Sequence, residues 1–309
     1  MGGLIFGINN LPKHAGLVAT QGTFDGVHQG HQHVLNQVIN IAKSKQLPSI
    51  LITFHPHPRS VINPNNESIS LLTSIEEKAA EVLKMGIDYV LVLPFTTEIS
   101  NLSPEQFVKQ ILVDALNVKT MVVGYDHRFG KHRSGGYNEL KQLALVHHFE
   151  VHEIPAHEID EIAISSSRIR KALLMGDLKR ANELLGYHYQ LSGSVIKGNQ
   201  LGRTIGFPTA NLAIDEIHKL IPQNGVYSGY TEMNQKTYRF MLNIGVRPTV
   251  DGTKKTIEAH ILDFEGDLYD KPLKLHIVEY LREEKRFSGL ESLKAQLKID
   301  EIETRKLVF

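Results

Sequence analysis

Two stretches of this chain carry residue types at spacings suited to phosphate chemistry. In the first, Gly22-Thr23-Phe24-Asp25-Gly26-Val27-His28-Gln29-Gly30-His31, two histidines stand three apart where a helical pattern opens. That spacing puts both rings on one side of a first turn, from which they can donate hydrogen bonds to charge developing on a phosphoryl group. A helix start adds unpaired N–H groups and a partial positive charge. Gly26 and Gly30 let the backbone turn and close on a ligand, and Gly22, Phe24 and Asp25 are expected to complete the phosphate-binding loop. A lone His-x-Gly-His in a chain with 16 histidines would read as two surface rings. The strand pattern before it and the helix after it turn the reading toward nucleotidyl transfer.

The second stretch runs from Lys197 to Asn211, where Lys197, Gly198, Gly202, Arg203 and Gly206 make a flexible basic loop for nucleotide phosphates. It matches neither the Walker A loop nor the dinucleotide glycine pattern. Its weight comes from Thr209 and Asn211, which share a face if 208–211 is extended. Two oxygens so placed suit a Mg²⁺ that also holds phosphates. A turn leading into a strand would look the same. Strand alternation puts Glu258 and His260 together on one face of 256–262, which makes Glu258 a candidate general base toward a substrate hydroxyl. A solvated strand face is the plain alternative.

Three more segments are expected at the same sheet edge as the histidine pair. In His55-Pro56-His57-Pro58-Arg59 the prolines should hold the chain extended, with His55 and His57 to one side as the wall of a pocket. Gly124-Tyr125-Asp126-His127-Arg128-Phe129-Gly130 reads as a substrate loop containing Asp126 and Phe129. Ile164-Ser165-Ser166-Ser167-Arg168-Ile169-Arg170 opens another helix. Serines there are ordinary caps, but Arg168 and Arg170 in a first turn oppose the helix dipole, which makes sense if they hold phosphates.

These residues need a scaffold. From residue 17 to about 154, β-branched runs at 17–20, 49–54, 89–93, 120–123 and 150–154 alternate with helical patterns at 33–43, 74–85 and 103–116. Ser74 with Glu77 reads as a capping box, and Pro104 takes a first helical position. Such alternation predicts a parallel sheet covered on both faces, with ligands at the carboxyl ends of its strands. After Gly186, runs at 191–197, 225–233, 238–244, 256–264 and 273–281 predict a small antiparallel barrel, and 289–306 a last helix. The fold class is α/β, with a Rossmann-like nucleotidyltransferase domain at 1–186 and a β-barrel domain at 187–309.

Bulk composition bounds the partners. Lys plus Arg equals Asp plus Glu at 34 each, so no global charge draws the chain to nucleic acid or an anionic membrane. Without cysteine there are no disulfides, thiolate nucleophiles or Cys-bound zinc. The N-terminal residues lack the basic and long apolar regions of a signal peptide, and no apolar run approaches the roughly 20 residues of a membrane span. The expected setting is the cytoplasm. Oligomeric state is left open.

With these motifs in view, the chain resembles the bacterial bifunctional riboflavin kinase/FMN adenylyltransferase (FAD synthetase) family over essentially its whole length. The markers, in the family's order, are GTFDGVHQGH, FHPHP, GYDHRFG and ISSSRIR, then KGNQLGRTIGFPTANL, NGVY, NIGVRPT, IEAHILD and LREEKRF. The resemblance implies that riboflavin is phosphorylated by ATP in the barrel, with Glu258 as base, Thr209 and Asn211 on Mg²⁺, and the glycine loop over the nucleotide. It implies that FMN then attacks a second ATP in the first domain, giving FAD and pyrophosphate. His28 and His31 would stabilise that transition state, with Ser166, Arg168 and Arg170 on phosphates. Asp126 and Phe129 would sit in the substrate loop, and Arg286 and Phe287 near the flavin end of the kinase site. His127 stands where phenylalanine is common in the family, Ser167 where threonine is, and Arg286 where lysine is. The alternatives are a chain retaining one activity, or a flavin-binding regulator without catalysis.

Overall fold

A computed structural model describes residues 2–62, 70–155, 164–198, 201–249 and 252–308, with backbone alone at 201, 247–249 and 252–254. Internal contacts divide the chain into two compact units, Met1–Ser166 and Ser167–Phe309.

The first unit is a six-stranded sheet of β1 (Gly3–Phe6), β2 (Leu17–Gln21), β3 (Ser49–His55), β4 (Tyr89–Pro94), β5 (Val118–Gly124) and β6 (Glu150–Ile154). All pairings are parallel, in the order β1-β4-β3-β2-β5-β6. Helices α1 (Gln29–Lys45), α2 (Pro58–Ile62), α3 (Ile75–Met85), α4 (Thr97–Asn101), α5 (Pro104–Phe107) and α6 (Tyr137–His147) belong to this unit. Both faces of the sheet are covered, so its central strands read as unbroken apolar runs. Leu17, Ala19, Ile50 and Ile52 join Phe107 and Leu112 in one core, while Val18, Leu51 and Val90 join Leu35 and Val38 of α1 and Val82 of α3 in another. Strand order reverses at β2, whose neighbours are β3 and β5. That reversal opens a crevice beyond the carboxyl ends, the usual ligand position in such sheets.

Four expected features are present as read: the five strands, the Ser74–Glu77 capping box, Pro104 at the head of α5, and a helix at α1. Two differ. Beyond Phe107 the third helical pattern continues as a π-helical stretch, Val108–Ala115. Gly3–Phe6, read only as a short apolar stretch, forms the edge strand β1 against β4. Four residues are too few for alternation to reveal a strand.

In the second unit β7 (Tyr189–Ile196), β8 (Ala210–Ile214), β9 (Gly225–Met233), β10 (Lys236–Thr249), β11 (Gly252–Ile261) and β12 (Pro272–Arg282) close an antiparallel barrel in the order β10-β11-β8-β7-β12-β9. Tyr189, Leu191, Tyr227, Phe240, Leu242, Leu275 and Ile277 fill it. The helices here are α7 (Ser166–Leu174), whose first residue still belongs to the first unit, α8 (Leu178–Leu185), α9 (Leu201–Thr204) and α10 (Leu290–Arg305). The side chain of Asn182 on α8 donates to the Ile277 carbonyl at 3.0 Å and accepts from the Tyr189 amide at 2.8 Å. Those bonds tie α8 to the barrel, so the compact division falls about twenty residues before residue 186.

Candidate active sites

The histidine motif lies at the point where strand order reverses. β2 ends at Gln21, and the chain turns through Phe24 (φ 45°), Gly26 (φ 86°) and Val27 (φ 38°) before α1 begins. Phe24 folds back over Gly22, where an added Cβ would come within 2.9 Å of its ring. Only glycine fits there. The Asp25 carboxylate accepts from the amides of Leu72 at 2.9 Å and Thr73 at 3.2 Å. These bonds fix the loop expected to hold phosphate. Asp25 is 4% exposed and holds the loop through those bonds. Ser166, the first residue of α7, donates to the Asp25 carbonyl at 2.9 Å.

His28 caps α1, its Nδ1 accepting the His31 amide at 3.4 Å. The two rings stack at 3.6 Å, with Phe24 tilted against His31 at 4.8 Å. Gly30 stands beside the His28 ring. Accepting at Nδ1 leaves the proton of His28 on Nε2. The Nδ1 of His31 is buried without a partner. A lone pair tolerates that better than an orphaned N–H, so the proton of His31 also sits on Nε2. Burial, then His28, then Lys78 hold His31 well below the ordinary imidazole pKa. His31 is therefore neutral near pH 7, and both rings carry an N–H donor on Nε2.

Lys78 on α3 was not among the expected residues. It is 5% exposed and donates to Thr53 Oγ1 at 3.4 Å, and Thr53 in turn donates to the Thr23 carbonyl. Burial brings its pKa down to about 8 against the opposing pull of Asp25. The signal was present in the sequence: Lys78 shares the apolar stripe of Ile75, Ala79 and Val82.

The neighbouring segments come out unevenly. His55–Arg59 is not extended, because α2 begins at Pro58, and the His57 ring accepts the Arg59 amide at 3.2 Å. A proline suits a helix start as well as an extended run, and here it starts a helix. The loop at 124–130 turns back through a Phe129–Gly135 bridge, with Asp126 exposed. Phe129 is 3% exposed and packs on Phe107, which makes it the anchor of the loop instead of a face for a ligand. His127 stacks on Phe129 at 5.7 Å, and burial with Arg133 and Arg128 lowers its pKa to about 4. It stays neutral and serves as an aromatic ring. Arg168 and Arg170 follow Ser166 on α7, in the second unit.

In the barrel, strand register builds the second site. Asn211 on β8 pairs directly with Glu258 on β11, and Glu258 pairs with Asn243 on β10. Opposite residues of antiparallel strands point to one face, so Asn243, Glu258 and Asn211 form a row. Thr209, two residues before Asn211, extends it. Gly198 leaves room for the Asn211 amide, which an added Cβ would strike at 2.2 Å. His260 Nδ1 lies 2.7 Å from the Pro208 carbonyl, which ties down the start of β8. Lys197 and Arg203 are exposed, Gly202 packs under the Phe207 carbonyl, and Gly206 turns with φ 87°. Residues 199–200 of that loop lie outside the described residues. Asn243 donates to Glu284 Oε1 at 3.3 Å, bringing a second carboxylate to the row. Neither residue was singled out from sequence, because their proximity depends on the barrel's closure. Arg286 is exposed, and Phe287 lies under the Arg282 guanidinium at 5.9 Å. Arg282 bonds both carboxylate oxygens of Asp300 on α10, at 2.6 to 3.1 Å.

Comparisons with known proteins bear on both sites. The FAD synthetase family model matches residues 11–168, and the riboflavin kinase model matches 185–308. A bifunctional riboflavin kinase/FMN adenylyltransferase of Listeria monocytogenes is 41% identical over 93% of this chain and 91% of its own. One from Pseudomonas fluorescens is 38% identical over 98% of this chain and 97% of its own. A crystal structure from Streptococcus pneumoniae, described as a macrolide-efflux protein, covers 99% of both chains at 30% identity with a TM-score of 0.87. Among the described residues here, no helix is long and apolar enough to cross a membrane. Because both halves match in this order along one chain, the protein belongs to the bifunctional riboflavin kinase/FMN adenylyltransferase family.

Proposed function

We propose that this protein makes FMN from riboflavin and then FAD from FMN, dividing the work between residues 1–186 and 187–309. In the barrel, Glu258 takes the proton of the riboflavin 5′-hydroxyl, whose oxygen attacks the γ-phosphorus of ATP and releases ADP. In the sheet domain, a phosphate oxygen of FMN attacks the α-phosphorus of a second ATP and pyrophosphate leaves. The Nε2–H groups of His28 and His31 donate to the charge that grows on the phosphoryl oxygens. Arg168 and Arg170 are assigned to phosphate on the ISSSRIR motif alone. The proposed setting is the cytoplasm.

Thr209, Asn211 and Glu258 offer hard oxygen donors, which fits Mg²⁺. Among the described residues no three of His, Cys, Asp or Glu form a metal cluster. The set therefore suits an ion that arrives with the nucleotide. Bound there by Thr209 and Asn211, Mg²⁺ would neutralise phosphate charge.

The observation that carries this reading is the direct pairing of Asn211 with Glu258, in a chain whose family joins the two activities. The test is a time course of purified protein with riboflavin and Mg-ATP, resolved by chromatography. FMN should appear first and FAD after it. If neither flavin product forms, the reading is wrong.

A further inference from the structure

We infer that Lys78 is a cation that receives the triphosphate of ATP in the adenylylation site. This deepens the reading above and rests on it. The two histidine rings stack and burial holds His31 uncharged, so that ring offers a donor without a charge. The Asp25 side chain accepts backbone amides and supplies no donor to a phosphate. A nucleotide with several negative charges needs a positive group at that crevice, and Lys78 stands there. Its contact Thr53 lies near the carboxyl end of β3 and reaches the Thr23 carbonyl just beyond β2.

Lys78 occupies an apolar stripe position where Leu or Met would bury without penalty. It instead buries an ammonium with three N–H donors and one side-chain partner at 3.4 Å among the described residues. It makes no ion pair there. A buried charge left so incompletely met is explained by a ligand that completes it. The groups facing it are Asp25 from the motif loop, His31 from α1 with His28 stacked behind, and Thr53 from β3. On α3 itself, Glu77 is engaged by the Ser74 amide in the capping box.

The experiment uses the full chain with FMN supplied, so the kinase step is bypassed, and follows kcat/KM for ATP against pH. The wild-type profile should fall on an alkaline limb near pH 8, where Lys78 loses its proton. Lys78→Arg should adenylylate without that limb, since guanidinium does not titrate there. Lys78→Met should lose about 100-fold in kcat/KM for ATP, with KM for FMN little changed. A wild-type profile without the limb, a limb that persists in Lys78→Arg, or a Lys78→Met protein as active as wild type each overturn the inference. If Lys78→Met does not fold, the wild-type and arginine profiles decide. A wild-type enzyme that makes no FAD from FMN would instead overturn the functional reading itself.

Discussion

The histidine site is assembled from residues far apart in the chain. Asp25 bonds amides at residues 72 and 73, Ser166 reaches back to Asp25, and Lys78 comes from a third segment. The barrel site needs far less. Asn243, Glu258 and Asn211 face one way because three adjacent strands are in register. The first arrangement is desolvated, and burial keeps His31 uncharged and its lysine close to losing a proton. The second leaves Glu258 partly open to solvent on a stiff strand. A buried site stabilises charge with fixed dipoles that need no reorganisation. An open row of oxygen groups suits a proton acceptor beside a metal-bound phosphate.

This contrast can be broken experimentally. The largest effect is expected from Glu258→Gln, which should lower FMN formation by about 100- to 10,000-fold while adenylylation of supplied FMN continues. Loss of both reactions in a folded protein would show that the sites do not work separately. His31→Ala should cut FAD formation from FMN by about 100- to 1,000-fold and leave riboflavin phosphorylation intact, as initial rates would report. His28→Ala should add a loss of about 1 kcal/mol in stability, because it also removes the cap of α1. Asp300→Ala leaves Arg282 without its counter-charge in a mostly buried place, and urea titration should show a loss of about 3–5 kcal/mol. The smallest effect concerns His127. Its pKa of about 4 lies below the ordinary 6.5, so between those values the unfolded chain holds more protons, and stability is lost as the pH drops through that window. His127→Phe should flatten acid unfolding in that window and change FAD formation at pH 7 by about twofold or less. A large loss of activity instead would mean that the imidazole does more than stack.

The strands of the sheet were legible because each is an apolar run ended by turn residues, and covering both faces makes such runs conspicuous. The barrel was legible from turn spacing, although β8 emerged only as an extended segment bearing Thr209 and Asn211. Glu258 and Asn211 could be picked out individually, but their opposition is a matter of register, which no local pattern reveals. Asp25 and Phe129 show the reverse problem. Their motifs placed them in ligand-binding loops, and only tertiary packing shows that one holds loop amides and the other is buried. Lys78 was within reach, since a lysine on an apolar stripe is itself a warning that something polar waits beneath.

The Arg282–Asp300 clamp has a practical consequence for the carboxyl end of the chain. Arg239 also grips the Leu307 carbonyl, and Arg305 is paired with Asp263. Residues 289–308 are thus tied to the barrel at Asp300, Arg305 and Leu307. A version trimmed before Gly289 would strand two arginines and uncap the cylinder, so purification handles are safer placed at the opposite terminus.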